Sequence, residues 1–125
     1  MKQPKPFRSL PQRELEILQA LWAQSQPVSA AELNAYMEKD WRIQTLITHL
    51  ARMKEKGVVH IEQRSVTKGA RYFYQPTVSQ DEYLNLATQE FLHQHYNNDV
   101  SLLLDRLTML GLLPVQGAGS TGESK

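Results

Sequence analysis

The hydrophobic period of this chain switches from helical to alternating at Gly57-Val58, and that change limits what the chain can fold into. Upstream, apolar residues recur every three or four positions. Just downstream, two short runs are β-branched or aromatic and alternate. The first pattern belongs to amphipathic helices and the second to half-buried strands. A chain of 125 residues holds one compact domain, or a small domain with an attached arm. The order of patterns therefore predicts a small helical domain closed by a β-hairpin.

Pro11 suits the first turn of a helix, where a missing N–H costs nothing. Leu15, Leu18 and Trp22, widened by Ile17 and Leu21, then form an apolar stripe that stops at Gln26-Pro27. Ser29-Ala-Ala-Glu32 is a capping-box pattern. It opens a second helix reaching about Lys39, with Leu33 and Met37 or Tyr36 inside. A third helix fits 43–56, burying Leu46, Leu50 and Met53, with Gly57 placed for a left-handed cap. Its other side carries Thr45, Thr48, Arg52 and Lys56, with Gln44 at the entry and Ile47 and His49 on the flanks, and this is the face expected against DNA. Val58–Arg64 and Ala70–Pro76 then read as a hairpin around a five-residue loop with a basic tip. Alternation along its second strand favours burial of the aromatic Tyr72 and Tyr74 on the helices over stacking on bases.

Ser79-Gln-Asp-Glu82 repeats the capping-box pattern and opens a helix over about 80–96, with Tyr83, Leu84, Ala87 and Phe91 on one side. Asn97-Asn98-Asp99 breaks it. The last helix carries Val100, Leu103, Leu104, Leu107 and Leu110 at helical spacing, and Leu102 and Met109 add apolar surface on another face. Two such helices appended to a finished domain need cover. A second copy of the chain, through a symmetric interface, is the economical answer, and packing back on the same domain is the alternative. The expected organisation is a loose basic arm at 1–9, a helix-and-hairpin domain at 10–78, a helical dimerisation region at 79–113 and a disordered tail at 114–125.

The net charge of +1 conceals a division. Residues 1–78 carry 12 Lys and Arg against 7 Asp and Glu, whereas residues 79–125 carry 2 against 6. A front half that faces polyanions fits this split, and so does a plain solvated surface. No cysteine is present, which removes disulfides, thiolate nucleophiles and cysteine-based metal sites. No apolar stretch is long enough to cross a bilayer, and the basic start leads into no apolar core. The expectation is a cytoplasmic protein with no membrane insertion and no signal peptide. No nucleophile turn, Gly-rich phosphate loop or metal-ligand spacing occurs, so neither catalytic residues nor a cofactor are expected. Glu90 and His93 share a helix face, but His95 points elsewhere, and a zinc site wants three or four converging ligands. A solvated helix is the expectation there. His49 either reads a base or phosphate or caps the apolar stripe. Trp22 and Trp41 read as packing residues.

Three helices followed by a two-stranded hairpin is the winged version of helix-turn-helix, mostly α with a small β wing. Its third helix can enter the major groove while the wing reaches a flanking phosphate or the minor groove. Winged helices also serve as protein-interaction or architectural modules, so the order of elements leaves both uses open.

Several motifs together resemble the penicillinase-repressor family of bacterial winged-helix transcriptional repressors. They are Leu10-Pro-Gln-Arg-Glu-Leu-Glu-Ile-Leu-Gln-Ala-Leu-Trp22, Ser29-Ala-Ala-Glu32-Leu33, Trp41, and Thr45-Leu-Ile-Thr48-His-Leu-Ala-Arg52-Met-Lys-Glu-Lys56-Gly57. Gly69-Ala-Arg-Tyr72-Phe-Tyr74-Gln-Pro76 and Val78-Ser-Gln-Asp-Glu-Tyr83 complete the set, over about residues 10–112. The resemblance implies a homodimer on a palindromic double-stranded DNA operator. Thr45, Thr48 and Arg52 would contact the operator, Arg71 or Lys68 would help from the wing, and the rear helices would hold the dimer. It also implies a membrane sensor protease that cuts an Asn-Phe bond in antibiotic-responsive members. Three departures stand out. Asp105-Arg106 occupies the place of that bond, Ala70 separates Gly69 from Arg71 in the wing, and the cysteine-rich tail of copper-responsive members is missing.

Overall fold

Pro11 stands just outside the first helix, as its N-cap, and its carbonyl accepts the Leu15 N–H at 2.9 Å. The computed structural model describes residues 7–66 and 69–114. In chain order these form α1 (Gln12–Trp22), α2 (Ala30–Met37), α3 (Ile43–Glu55), β1 (Val59–Val66), β2 (Gly69–Pro76), α4 (Gln80–Tyr96) and α5 (Val100–Met109). The architecture is the expected one, a winged helix-turn-helix followed by two further helices.

The core sits among the first three helices and the base of the wing. Ile17, Leu18, Leu21, Leu33, Leu46, Leu50 and Met53 are fully buried. Each such side chain contributes on the order of 1.5–3 kcal/mol relative to exposure. The inner stripe of α3 is the predicted one. That of α1 is turned from the expected line, burying Glu14, Ile17, Leu18, Ala20 and Leu21 while Leu15 and Trp22 are half-buried. In α2, Ala30 and Leu33 are buried and Tyr36 is exposed.

Local chemistry fixes the ends of these helices. The Ser29 hydroxyl accepts the Glu32 N–H at 3.1 Å and the Glu32 carboxylate accepts the Ser29 N–H at 2.9 Å, so the capping box is complete. At the far end of α3, Gly57 has φ +86°. Its N–H donates to the Lys54 carbonyl at 3.0 Å and the Val58 N–H to the Met53 carbonyl at 3.1 Å. That double cap needs a left-handed residue, which glycine adopts without a Cβ penalty. It turns the chain from the third helix straight into the wing.

The wing strands are longer than expected. They pair antiparallel from Val59↔Pro76 to Val66↔Gly69, so the five-residue loop shrinks to Thr67 and Lys68, which lie outside the described residues. The cause is that Ser65 and Val66 continue the ladder and Gly69, at φ +117°, rejoins it. Tyr74 is buried on the helices as predicted, but Tyr72, two residues nearer the tip, is 51% exposed. Alternation puts both on one face, and only the base of that face reaches the core. A third partner joins the hairpin from outside it. Val28 bridges to Tyr74, donating at 3.1 Å and accepting at 2.8 Å, so the link between α1 and α2 pins the wing.

Tyr83 requires a correction. It was expected on the dimerisation face, yet it is 4% exposed within the winged-helix unit. Its hydroxyl accepts the Leu10 N–H at 2.9 Å, and its ring lies 5.5 Å from Phe7 and 5.8 Å from Trp22. The Trp22 indole N–H in turn donates to the Val78 carbonyl at 2.8 Å. Phe7 is thus a packed residue of the expected loose arm. Residues 1–6, and 115–125 of the expected tail, lie outside the described residues.

The chain divides between Asn85 and Leu86 into two compact units, and α4 runs across the division. A second complete capping box starts α4, with Ser79 and Glu82 bonded at 2.8 and 3.0 Å. In the rear unit Asn97 and Asn98 take left-handed φ of 51° and 65°, and the Asp99 carboxylate caps α5 by accepting the Leu102 N–H at 3.3 Å. No residue of α5 is buried. No helix among the described residues is long and apolar enough to cross a membrane.

Candidate nucleic-acid interface

Three buried residues, Leu46, Leu50 and Met53, fix the inward side of α3 and so define what points out. Gln44, Thr48, Ala51 and Arg52 are exposed, while Thr45 and Ile47 are half-buried on the two edges. The sequence reading anticipated all of these except Ala51. Its signal was present, three positions after Thr48 and thus on the same face. Thr48 donates its hydroxyl to the Gln44 carbonyl at 2.9 Å, which leaves the oxygen's lone pairs facing outward as acceptors. The outward face therefore carries an amide, an acceptor hydroxyl, a methyl and a guanidinium in sequence.

Lys56 and His49 do not join this face. The Lys56 ammonium donates to Glu14 of α1, and the His49 ring Nδ1 lies 3.4 Å from the other Glu14 oxygen. Glu14 is 2% exposed, and a buried carboxylate requires such partners. The expectation that Lys56 extends the DNA-facing row is corrected on this ground. Each step of four residues turns a helical side chain about 40° further, so the row Thr48, Arg52, Lys56 drifts round until it meets α1. His49 is likewise settled on the packing side, with the Trp41 ring 6.1 Å away and the Arg13 guanidinium over that indole at 5.6 Å.

On the wing, the register sets Arg64 directly opposite Arg71 and Glu62 opposite Phe73, all on the face away from Tyr74. Arg64 is held in place. It donates to both Glu62 oxygens, at 3.1 and 3.2 Å, and stacks over the Phe73 ring at 4.3 Å. The hydrogen bonds from Arg64 hold the Glu62 carboxyl below its ordinary range, and the same pairing raises the guanidinium. Arg71 is exposed. Lys68 lies outside the described residues. Burial, with a smaller effect of neighbouring Tyr72, pushes the Tyr74 phenol up from its ordinary value.

Between wing and helices runs an open cleft of about 440 Å³, bordered by Ser29, Ala30, Ala31, Glu32, Ile47, Arg71, Tyr72 and Tyr74. Ile47 on the edge of α3, the α2 N-terminus and Arg71 thus lie around one concavity beside the outward face. Such a surface can place hydrogen-bonding groups against base edges and cations against phosphates. Among the described residues no group of three or more His, Asp or Glu is placed to hold a metal ion.

Of the residues expected at the dimer surface, Leu84, Phe91, Val100 and Leu104 are exposed, and Ala87, Leu103 and Leu107 are half-buried. Leu86, Leu102, Met109, Leu110 and Leu112 add to the exposed apolar set. The Phe91 ring is flanked by His95 at 5.0 Å and Tyr96 at 5.6 Å. His93 faces Asn98, with 3.1 Å between its ring Nδ1 and the amide nitrogen.

Known proteins match this chain over most of its length. The family model of the penicillinase repressor matches residues 10–110. The chain is similar to the penicillinase repressor of Bacillus licheniformis, at 22% identity over 102 residues, covering 80% of this chain and 76% of that protein. Among solved structures it is similar to a possible transcriptional regulator from Methanosarcina mazei, with a TM-score of 0.52 at 17% identity, covering 81% of this chain and 76% of that one. A PadR family transcription regulator from Clostridium difficile superposes with a TM-score of 0.44 at 15% identity, over 77% of this chain and 96% of that one.

Proposed function

This chain belongs to the penicillinase repressor family and is a transcriptional regulator, and on that premise we propose that it binds a palindromic operator as a homodimer and represses transcription. The observation that carries the reading is the outward face of α3, where Gln44, Thr48 and Arg52 stand exposed on a helix whose other side is locked into the core. In this arrangement Gln44, Thr48 and Arg52 address base edges in the major groove, and Thr45 and Arg71 address phosphates from the flanks. Exposed Arg42, Arg52, Lys54 and Arg71 supply the positive charge that displaces condensed counterions.

The dimer is supported by α5. A ten-residue helix is marginal alone in water, and this one has no fully buried residue, only the half-buried Leu103 and Leu107, to hold it. Pairing α4 and α5 with those of a second copy covers Leu84, Phe91, Val100 and Leu104, and links two recognition helices in one molecule. The chain would act in the cytoplasm, where the operator is. Asp105 and Arg106 are exposed on α5, and their chemistry does not match an Asn-Phe cleavage site, so the reading includes no release by that cut.

The test is selection of bound duplexes from a random pool at near-physiological salt. The expected result is an inverted repeat with half-sites about one helical turn, roughly 34–36 Å, apart. Binding that enriches no sequence and fades as salt rises would instead make the chain an architectural module.

A further inference from the structure

Four large apolar side chains of the winged-helix unit are exposed among its described residues: Tyr36, Ile43, Tyr72 and Leu84. Two of them flank the proposed DNA face. Ile43, 42% exposed, is the first residue of α3, immediately after the N-cap Arg42. Ile47 lies one turn further along the same edge of the helix, and it borders the cleft together with Tyr72. An apolar ridge thus runs from the tip of the recognition helix to the wing. Around it are exposed Arg42, Gln44, Thr48 and Arg71. Nothing in the helix itself requires isoleucine at an exposed first position, and exposing it to water is unfavourable.

We infer that Ile43 and Ile47 read the C5 methyl groups of thymines in the operator half-site, with Tyr72 closing the ridge against the sugar–phosphate wall. This rests on the reading that the chain binds a specific operator. The charges name the partner. Cations flank the ridge, so it suits a surface that is polyanionic at its walls and apolar at points on its floor. The major groove of DNA is such a surface, and the thymine methyl is the apolar feature its base edges present there. The N-terminal residues of a recognition helix are the ones that reach base edges. A β-branched side chain at that point also has little rotamer freedom to lose. The consequence is a half-site with thymines beneath the N-terminal turn of α3, separate from the bases addressed by Thr48 and Arg52.

Deoxyuridine tests this directly, because it removes the methyl and leaves base pairing unchanged. In the operator found by selection, each thymine pair related by the dyad is replaced in turn, and affinity is measured for the full chain and for Ile43→Ala. The expected loss is about fourfold per methyl, or about sixteenfold for a symmetric pair, at one or two positions in each half-site. Ile43→Ala should bind the thymine operator less tightly and become indifferent to uracil at one of those positions. Tyr36→Ala, an equally exposed aromatic on the α1–α2 side, should leave the uracil profile as it was. Tight operator binding that ignores uracil everywhere, or an Ile43→Ala profile identical to the wild type, overturns the inference and leaves operator recognition standing. Failure of the pool to yield any operator overturns both.

Discussion

α3 and α5 are both amphipathic and of similar length, yet they meet opposite fates. α3 buries Leu46, Leu50 and Met53 completely, whereas α5, with Val100, Leu103, Leu104 and Leu107 at equivalent spacing, buries none of them fully. Helical spacing says that a stripe exists, and only its neighbours say whether it is covered. The first unit supplies its own neighbours: α1, α2 and the wing close over α3, Val28 pins the wing, and Tyr83 pins the segment at Leu10. In the rear unit the described residues leave eight large apolar side chains exposed, from Leu86 to Leu112. Patches of that extent mark an interaction surface. The contrast separates a region whose apolar stripe is covered within the protomer from one whose stripe stays open, as the proposed dimer requires.

The contrast is broken or sharpened most strongly by cutting between the two. A chain ending at Asn85 keeps Tyr83, so it should remain folded and become monomeric. Its operator affinity should fall by about 10²–10⁴-fold, because binding one half-site no longer raises the effective concentration at the other. Sedimentation and operator titration read both effects, and undiminished affinity would refute the assembly argument. Next in size is a pair of leucines. Leu50→Ala in α3 should cost about 2–5 kcal/mol in urea unfolding, through lost burial and a residual cavity. Leu104→Ala in α5 should change the stability of the separated protomer by no more than about 0.5 kcal/mol while weakening dimerisation. Equal costs would erase the distinction.

How much of this the sequence carried depends on whether the deciding interaction was local. The two capping boxes, the Gly57 cap and the inner stripe of α3 were all legible, because each rests on residues within one or two turns of each other. Tyr83 was not. Its partners are Leu10, 73 residues away, together with Phe7 and Trp22, and a side chain on an amphipathic helix does not announce a partner so distant. Lys56 was misread for the same reason. On spacing alone it continues the Arg52 row, and only the buried Glu14, 42 residues upstream, takes it away. The Val28–Tyr74 bridge escaped notice because one β-branched residue after a proline gives no period to detect. In the candidate interface, then, the outward residues of α3 were readable and the cations diverted to packing were not.

Tyr83 yields the next prediction. Tyr83→Phe removes the acceptor for the buried Leu10 N–H but keeps the ring against Phe7 and Trp22. The cost should be about 1–3 kcal/mol of protomer stability, the penalty of an unsatisfied buried donor. The dimer dissociation constant should not move, since the side chain belongs to the first unit. A shift in dissociation with stability unchanged would return Tyr83 to the interface and blur the division between the two regions.

The smallest effect lies on the wing, where Glu62 and Arg64 form an exposed pair above Phe73. The hydrogen bonds from Arg64 depress the Glu62 carboxyl below its ordinary value of 4.5. A group depressed in the folded state favours folding above its unfolded value, and loses that contribution as the pH falls through the folded one. Stability should therefore decline only slightly below about pH 4.5, and Glu62→Gln should flatten that decline by giving up the same small contribution at neutral pH. The DNA readout is the sharper one. With its partner neutralised, Arg64 is free to face phosphate alongside Arg71, its cross-strand neighbour. The slope of log affinity against log salt should then steepen by about 0.9 for each phosphate gained. An unchanged slope would mean that stacking on Phe73 alone keeps Arg64 off the DNA, leaving Arg71 and Lys68 as the wing's contribution.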